Sequence, residues 1–332
     1  MKGNRKESDA GVCKTEKKRY FCSSLPARGI PEKVNPAVTG ERSSMTFENL
    51  HNLNSNSMKA IRLIALAACM AATLDASAQE QEIRLFSHRG GRMEHDENTF
   101  SAFQASYDAG YRGFETDIRM TRDGALVITH DSSLERTTNG TGTVEEKTEA
   151  EIRQLATKQG NKMMFLDELL EFLKGKEGLY VEFEMKTKPV ELYPEERLHA
   201  YCDKLYDAVM AVKPADAVFV FTSGDYRGLR YLQAKHPDVD LLLITSKPCN
   251  DETIDLCKAM GIKRMGATMD GTSRKAVKKA HKEGLIVSLW PGQSVEDFML
   301  GAYLGCDYMC TDVPIEVKGW LAEKAPWIKV KY

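Results

Sequence analysis

The chain has 332 residues, 42% hydrophobic and 28% charged, with a formal net charge of −2, an ordinary globular composition. Residues 1–78 hold 12 Lys/Arg against 7 Asp/Glu, so residues 79–332 carry a formal −7. That balance excludes a nucleic-acid or anionic-membrane partner recognised by general charge.

In chain order, residues 1–57 are polar and without a sustained period, as expected of a mispredicted start or a disordered leader. Met58 then opens MKAIRLIALAACMAATLDASAQE, with Lys59 and Arg62 before an apolar run and Ala76-Ser77-Ala78 before Gln79. A basic region, a short apolar core and a small-x-small site form a signal peptide over 58–78 and imply export. The run is too short for a permanent membrane span. Leu66-Ala67-Ala68-Cys69 also matches a lipoprotein box, so membrane attachment is expected only if Cys69 carries lipid. The remaining 254 residues are close to the size of a (β/α)₈ barrel, about 250. Five of the eight cysteines lie there (Cys202, Cys249, Cys257, Cys306 and Cys310). An odd count implies no complete disulfide framework, and Cys306 and Cys310 read as buried thiols of the last strand.

Short β-rich runs follow at 83–87, 113–118, 125–130, 179–185, 218–222, 240–245, 264–268, 285–290 and 307–311. Amphipathic helical patterns lie between them at 99–109, 166–173, 194–212, 225–235, 251–260, 273–282 and 295–304. Such alternation implies a parallel sheet or barrel. Nine strands exceed the eight barrel places by one. Only Thr121-Arg122-Asp123-Gly124 links the second run to the third, whereas parallel neighbours need a dozen or more linking residues. The third must therefore fold back as an antiparallel hairpin. The expected fold is a distorted TIM-type (β/α)₈ barrel over 79–332, with a hairpin after its second strand. The stretch 132–164 reads as a long rim loop with one short helix around 149–155, and long loops in compact domains are usually functional.

Chemistry concentrates at strand ends. Glu115 and Asp117 stand at i and i+2, so both side chains point to one face, and two inward carboxylates suit a hard divalent cation. A second strand places Glu182, Glu184 and Lys186 on one face, where such charges are costly unless paired or bound to metal. His88 and His130 at neighbouring strand ends suit an acid/base pair. Arg89 and Lys186 suit the oxygens of a phosphate. His95 reads as a solvated loop residue.

These elements fall in a familiar order: His88-Arg89-Gly90, Glu97-Asn98-Thr99, Gly113-Phe114-Glu115-Thr116-Asp117, Thr121-x-Asp123-Gly124, His130-Asp131, Leu134-x-Arg136-Thr137-Thr138-x-Gly140-x-Gly142, Glu184-x-Lys186, Trp290 and Thr311-Asp312-x-Pro314. From about Arg84 to Pro314 the chain resembles the glycerophosphodiester phosphodiesterase family. The resemblance implies one divalent cation, Ca²⁺ or Mg²⁺, on Glu115, Asp117 and Glu184. It places His88 and His130 in the acid/base roles and Arg89 and Lys186 on the substrate phosphate. The implied products are glycerol 3-phosphate and an alcohol, through attack of the glycerol 2-hydroxyl and a cyclic phosphate that water opens. Glu97 and Asn98 are expected to brace the His88 loop, Trp290 to form a pocket wall, and Glu182 to stand behind the metal ligands.

The chain departs from the family pattern at Thr222-Ser223-Gly224, where a Ser-Phe pair is usual, and at Pro291-Gly292, where Thr-x-Asn is expected. Both bear on which head group leaves. Competing expectations are the same chemistry on lysophospholipids, phosphoinositides or a glycan-linked glycerophosphate, and a non-catalytic binding barrel.

Overall fold

A computed structural model describes residues 82–332. The leader assignments over 1–57 and 58–78, and Cys69 with them, lie outside the described residues. Eight parallel strands form the barrel: β1 (Ile83–His88), β2 (Gly113–Met120), β4 (Tyr180–Met185), β5 (Val218–Ser223), β6 (Leu241–Pro248), β7 (Arg264–Thr268), β8 (Ile286–Gly292) and β9 (Tyr308–Thr311). Closure comes from β1, which pairs with both β9 and β2. The expected hairpin is present. It is β3 (Leu126–Ile128), antiparallel to β2 with Ile118 opposite Ile128.

The helices are α1 (Phe100–Asp108), α2 (Glu149–Ile152), α3 (Leu166–Leu173), α4 (Glu195–Val212), α5 (Tyr226–Lys235), α6 (Asp251–Met260), α7 (Arg274–Lys282), α8 (Val295–Leu304) and α9 (Pro314–Lys324). Besides Thr148, which accepts from the Glu151 N–H at the start of α2, five longer helices open on side-chain caps. Thr99, Asp225, Asn250, Ser273 and Ser294 each accept from a first-turn N–H, satisfying donors that the helix leaves open. Each crossover helix buries an apolar stripe on the outside of the barrel, as α4 does with Leu198, Tyr201, Leu205 and Val209.

Two regions differ from the sequence expectation. Residues 132–164 form a small folded cap in which Leu134, Val144, Ile152 and Met163 pack on Val127 and Phe165. Its helical part is shorter than expected, a 3₁₀ turn at Val144–Glu146 and then α2. At the other end, α9 starts with Pro314 at its first turn, a position that tolerates the missing N–H. Beyond it β10 (Val330–Lys331) pairs with the start of β1; two residues are too few to give a period. Among the described residues, no helix is long and apolar enough to cross a membrane.

Candidate active site

The interior changes character along the barrel axis, with apolar Phe86, Val220, Leu242 and Cys310 at mid-height. Above them, at the C-terminal ends of the strands where barrel enzymes carry their catalytic groups, the sequence-identified residues converge.

The β1 end is built from unusual backbone. Arg89 has φ +54°, uncommon for a residue with a side chain. This turns its N–H toward β2, where it lies 3.1 Å from Glu115 Oε2 and 3.2 Å from the Glu115 carbonyl. Gly90 follows at φ +81°, and a Cβ there would stand 2.7 Å from the Ala102 Cβ. Asn98, also left-handed at φ +59°, donates its N–H to the Arg89 carbonyl at 2.9 Å. Its side-chain amide donates to Asp117 Oδ2 at 2.9 Å. Gly113 has no room for a side chain, since a Cβ would meet Phe86 Cβ at 2.6 Å. That close approach seats β2 against β1.

In the β2–β4 register, Glu115 lies opposite Glu182 and Asp117 opposite Glu184. One oxygen each of Glu115, Asp117 and Glu184 lie within 4.8 Å of one another. Burial pushes the Glu115 carboxyl well above its usual range, and the charges of Asp117 and Glu184 push it further. Asp117 is equally buried, yet Arg89 and then Lys186 hold its carboxyl below the usual range. Glu115 Oε1 is buried and accepts no hydrogen bond, and the buried Asp117 Oδ1 has only the Lys186 ammonium beside it, 3.3 Å away. A buried carboxylate oxygen without a hydrogen bond is costly, and three converging acids are a donor set that fits a hard divalent cation. Glu182 stays outside this group. The Tyr180 hydroxyl donates to it at 2.5 Å, and burial pushes its carboxyl up to about 7.

Each histidine is held by a carboxylate. Asp312 Oδ1 lies 2.5 Å from His88 Nδ1, and Arg92 Nε donates to the other oxygen at 2.8 Å. Burial would raise the Asp312 carboxyl, but the bonds from His88 and Arg92 hold it below its usual range. Asp131 Oδ1 lies 2.6 Å from His130 Nδ1, and Arg136 donates to Oδ2. Ionised carboxylates accept only, so each Nδ1 carries a proton in these contacts and Nε2 is the ring atom left for exchange. Arg136 also donates to both oxygens of Glu97, at 2.7 and 2.9 Å, and Glu97 accepts from Arg89 at 3.0 Å. One chain of contacts thus runs from His130 through Asp131, Arg136, Glu97 and Arg89 to Asp117, 3.1 Å from Arg89 Nε.

Lys186 Nζ lies 2.7 Å from Glu184 and 3.3 Å from Asp117. Burial opposes its charge, but Glu184 and Asp117 outweigh that and raise its pKa. Beside it a cleft of about 370 Å³ is lined by His130, Lys186, Ser223 and Gly224. Trp290, two residues before the end of β8, packs on the Phe86–Leu242 cluster with Nε1 buried and unpartnered, as is Thr222 Oγ1. His95 is half-buried with an unpartnered Nε2, a correction to its reading as solvated: the turn at Gly91, whose carbonyl accepts the His95 N–H, folds it inward.

Sequence reasoning gave no role to Asp312, Asp131, Arg136 or Arg92. The first three stood inside the ordered motifs. Their partners, 224 residues away for Asp312 and 39 for the Arg136–Glu97 pair, become visible only once the barrel closes.

A profile of the glycerophosphoryl diester phosphodiesterase family matches residues 88–316. The chain is 24% identical over 240 residues to a glycerophosphodiester phosphodiesterase of Bacillus altitudinis, covering 70% of this chain and 95% of that one. It is 37% identical over 123 residues to that of Caldanaerobacter subterraneus subsp. tengcongensis, covering 34% of this chain and half of the relative. A solved phosphodiesterase of Oleispira antarctica, in complex with the product sn-glycerol-3-phosphate, superposes with a TM-score of 0.65 at 20% identity, covering 72% and 97% of the two chains. At that identity the likeness is one of fold. With the profile spanning more than half its length, the chain belongs to the glycerophosphoryl diester phosphodiesterase family.

Proposed function

We propose that this protein is exported and hydrolyses small glycerophosphodiesters to glycerol 3-phosphate and an alcohol, using one Ca²⁺ or Mg²⁺ on Glu115, Asp117 and Glu184. The observation that carries this reading is the combination of two carboxylate-held histidines with three converging acids, one of which, Glu115, has a buried oxygen without a hydrogen bond. The product bound to the Oleispira relative supports it. The signal-like stretch at 58–78 supports export.

When bound, the cation would lower the pKa of the attacking hydroxyl and neutralise charge on the phosphoryl oxygens. Lys186 and Arg89 flank the cluster and would bind the non-bridging oxygens. One neutral imidazole takes the proton of the glycerol 2-hydroxyl at its Nε2. That oxygen bonds to phosphorus while the bond to the alcohol oxygen breaks, and the other imidazole, protonated, gives the alcohol its proton. Water then opens the cyclic phosphate with the two roles exchanged. Asp312 and Asp131 keep each Nδ1 occupied, so Nε2 is the exchanging atom throughout.

The exposed side chains of Met93 and Ile315 sit beside the Asp312 turn and are the feature that suits an acyl chain, so a lysophospholipid is the second reading. The test offers glycerophosphocholine, glycerophosphoethanolamine, lysophosphatidylcholine and a 2-deoxy analogue of the first, and assays glycerol 3-phosphate and choline. Turnover of the first two with none of the 2-deoxy analogue is expected. Equal turnover of the analogue would overturn the internal-attack route, and turnover of the lipid alone would transfer the assignment to the second reading.

A further inference from the structure

Glu115 borders a second set of ligand-type atoms, one of which, the Cys310 sulfur, the hydrolytic reading leaves unused. His88 Nε2 or Nδ1, a Glu115 oxygen and the Cys310 sulfur also come within 4.8 Å of one another. With Nδ1 engaged by Asp312, the available ring atom is Nε2, 3.7 Å from Glu115 Oε2. The two triplets share Glu115 and differ in hardness. One offers three oxygens, the other nitrogen, oxygen and sulfur. Thiolate and imidazole favour zinc over calcium or magnesium.

Three further observations point to a ligand here. Glu115, 3% exposed, has Oε1 buried without a partner. The Asp312–His88 contact is the arrangement that commonly stands behind a zinc-bound imidazole, where the carboxylate fixes the tautomer and ring orientation. Cys310 is held in place by the strand pairing that sets it beside Phe86 on β1, two residues before His88. In a tetrahedral zinc site with bonds of about 2.0–2.3 Å, neighbouring ligand atoms stand about 3.3–3.8 Å apart, and the His88–Glu115 distance already falls within that span.

We propose that His88, Glu115 and Cys310 form a thiophilic cation site, selective for Zn²⁺ or Cd²⁺, that overlaps the hard-cation site and switches the enzyme off when filled. Binding forms a metal–sulfur bond and releases the Cys310 thiol proton to solvent, because the thiolate is the ligand. Three protein ligands leave a fourth position open to water, the pattern of an exchangeable site. Occupation withdraws the His88 Nε2 lone pair from proton transfer and claims an oxygen of Glu115. The inhibitory consequence rests on the hydrolase reading; the binding does not.

The test uses full-length, EDTA-stripped protein. Cd²⁺ titration is followed by the ultraviolet sulfur-to-metal charge-transfer band, comparing the wild type with Cys310→Val and Cys310→Ser. The wild type should show one more thiolate-bound equivalent than either variant. With saturating Mg²⁺, both variants should keep the basal rate, while the Zn²⁺ concentration giving half-inhibition rises at least tenfold. Identical bands in wild type and variants would overturn the site. Hydrolysis with no difference in the band removes the site and leaves the hydrolase reading standing. A Cys310-dependent band in a protein that turns over no phosphodiester keeps the site and removes that reading. If neither variant folds, X-ray absorption of the wild type with one equivalent of Zn²⁺ decides: a shell with one sulfur and one imidazole is expected, and a shell of oxygens alone overturns it.

Discussion

The two ends of the barrel both bury charge, and they handle it in opposite ways. At the floor, Arg84 and Arg264 lie over the rings of Tyr180 and Tyr308, which pack on each other with centroids 4.6 Å apart. Arg84 lies 5.6 Å from the Tyr180 ring and donates to the Gly178 carbonyl at 2.7 Å. Arg264 lies 5.4 Å from the Tyr308 ring and holds Asp240 through two bonds of 2.8 and 3.0 Å. The donors left over, Arg84 Nε and Arg264 Nη1, belong to guanidiniums lying over aromatic faces, which supply part of the missing attraction. At the mouth, one oxygen each of Glu115, Asp117 and Glu184 come within 4.8 Å of one another, and Glu115 Oε1 accepts no hydrogen bond. The floor pairs its cations with aromatic faces and Asp240, whereas the mouth gathers three acids around Arg89 and Lys186. The lesson is that the balance of partners, more than the burial of charge, separates a structural layer from a reactive one.

The largest expected effect comes from the histidines. His88→Ala and His130→Ala should each lower kcat by about 10²–10⁴-fold with unchanged circular dichroism. A fully active double variant would remove the acid/base assignment. Next is the acid cluster. Replacing an outer partner of a metal ligand typically weakens affinity about 10–100-fold, so Glu115→Gln or Asp117→Asn should reach at least the upper end, read by calorimetric titration of the cation. An unchanged isotherm would show that these oxygens are not ligands.

The floor gives the counter-case. Arg264→Met should lower unfolding free energy by about 1–2 kcal/mol, since its partner Asp240 is partly exposed, while kcat holds. A loss of kcat with stability intact would erase the distinction between the two ends. The smallest effect is a pH dependence at Asp131. Burial opposes ionisation there, but the bonds from Arg136 and His130 pull its carboxyl down to about 2. A depressed carboxylate stabilises the fold above its unfolded pKa, about 3.9, and that stabilisation fades as pH falls toward 2. Denaturation midpoints of wild type and Asp131→Asn should therefore differ at pH 6 and converge near pH 2; a gap that persists at pH 2 would assign the effect to something other than this ionisation.

Much of the barrel was legible because its signals are local. The β-rich runs, the amphipathic helices and the four-residue link before β3 each lie within a short window, and so do Glu115, Asp117 and the Glu184–Lys186 pair. What escaped was set by closure. Asp312 reaches His88 only because β9 pairs with β1, and Cys310 comes beside Glu115 for the same reason. The cap over 132–164 hid its core because its apolar residues are spaced irregularly and pack on β3 and the start of α3. Glu182 shares a face with Glu184, yet the Tyr180 hydroxyl on its own strand satisfies it, a pairing at i and i+2 that the face alone does not foretell.

The most direct test of the acid cluster at the mouth is glycerol 3-phosphate release from glycerophosphocholine by EDTA-stripped protein, titrated with Ca²⁺ or Mg²⁺. The account predicts no release without cation and full recovery at one bound equivalent. Release at the full rate in EDTA would contradict it.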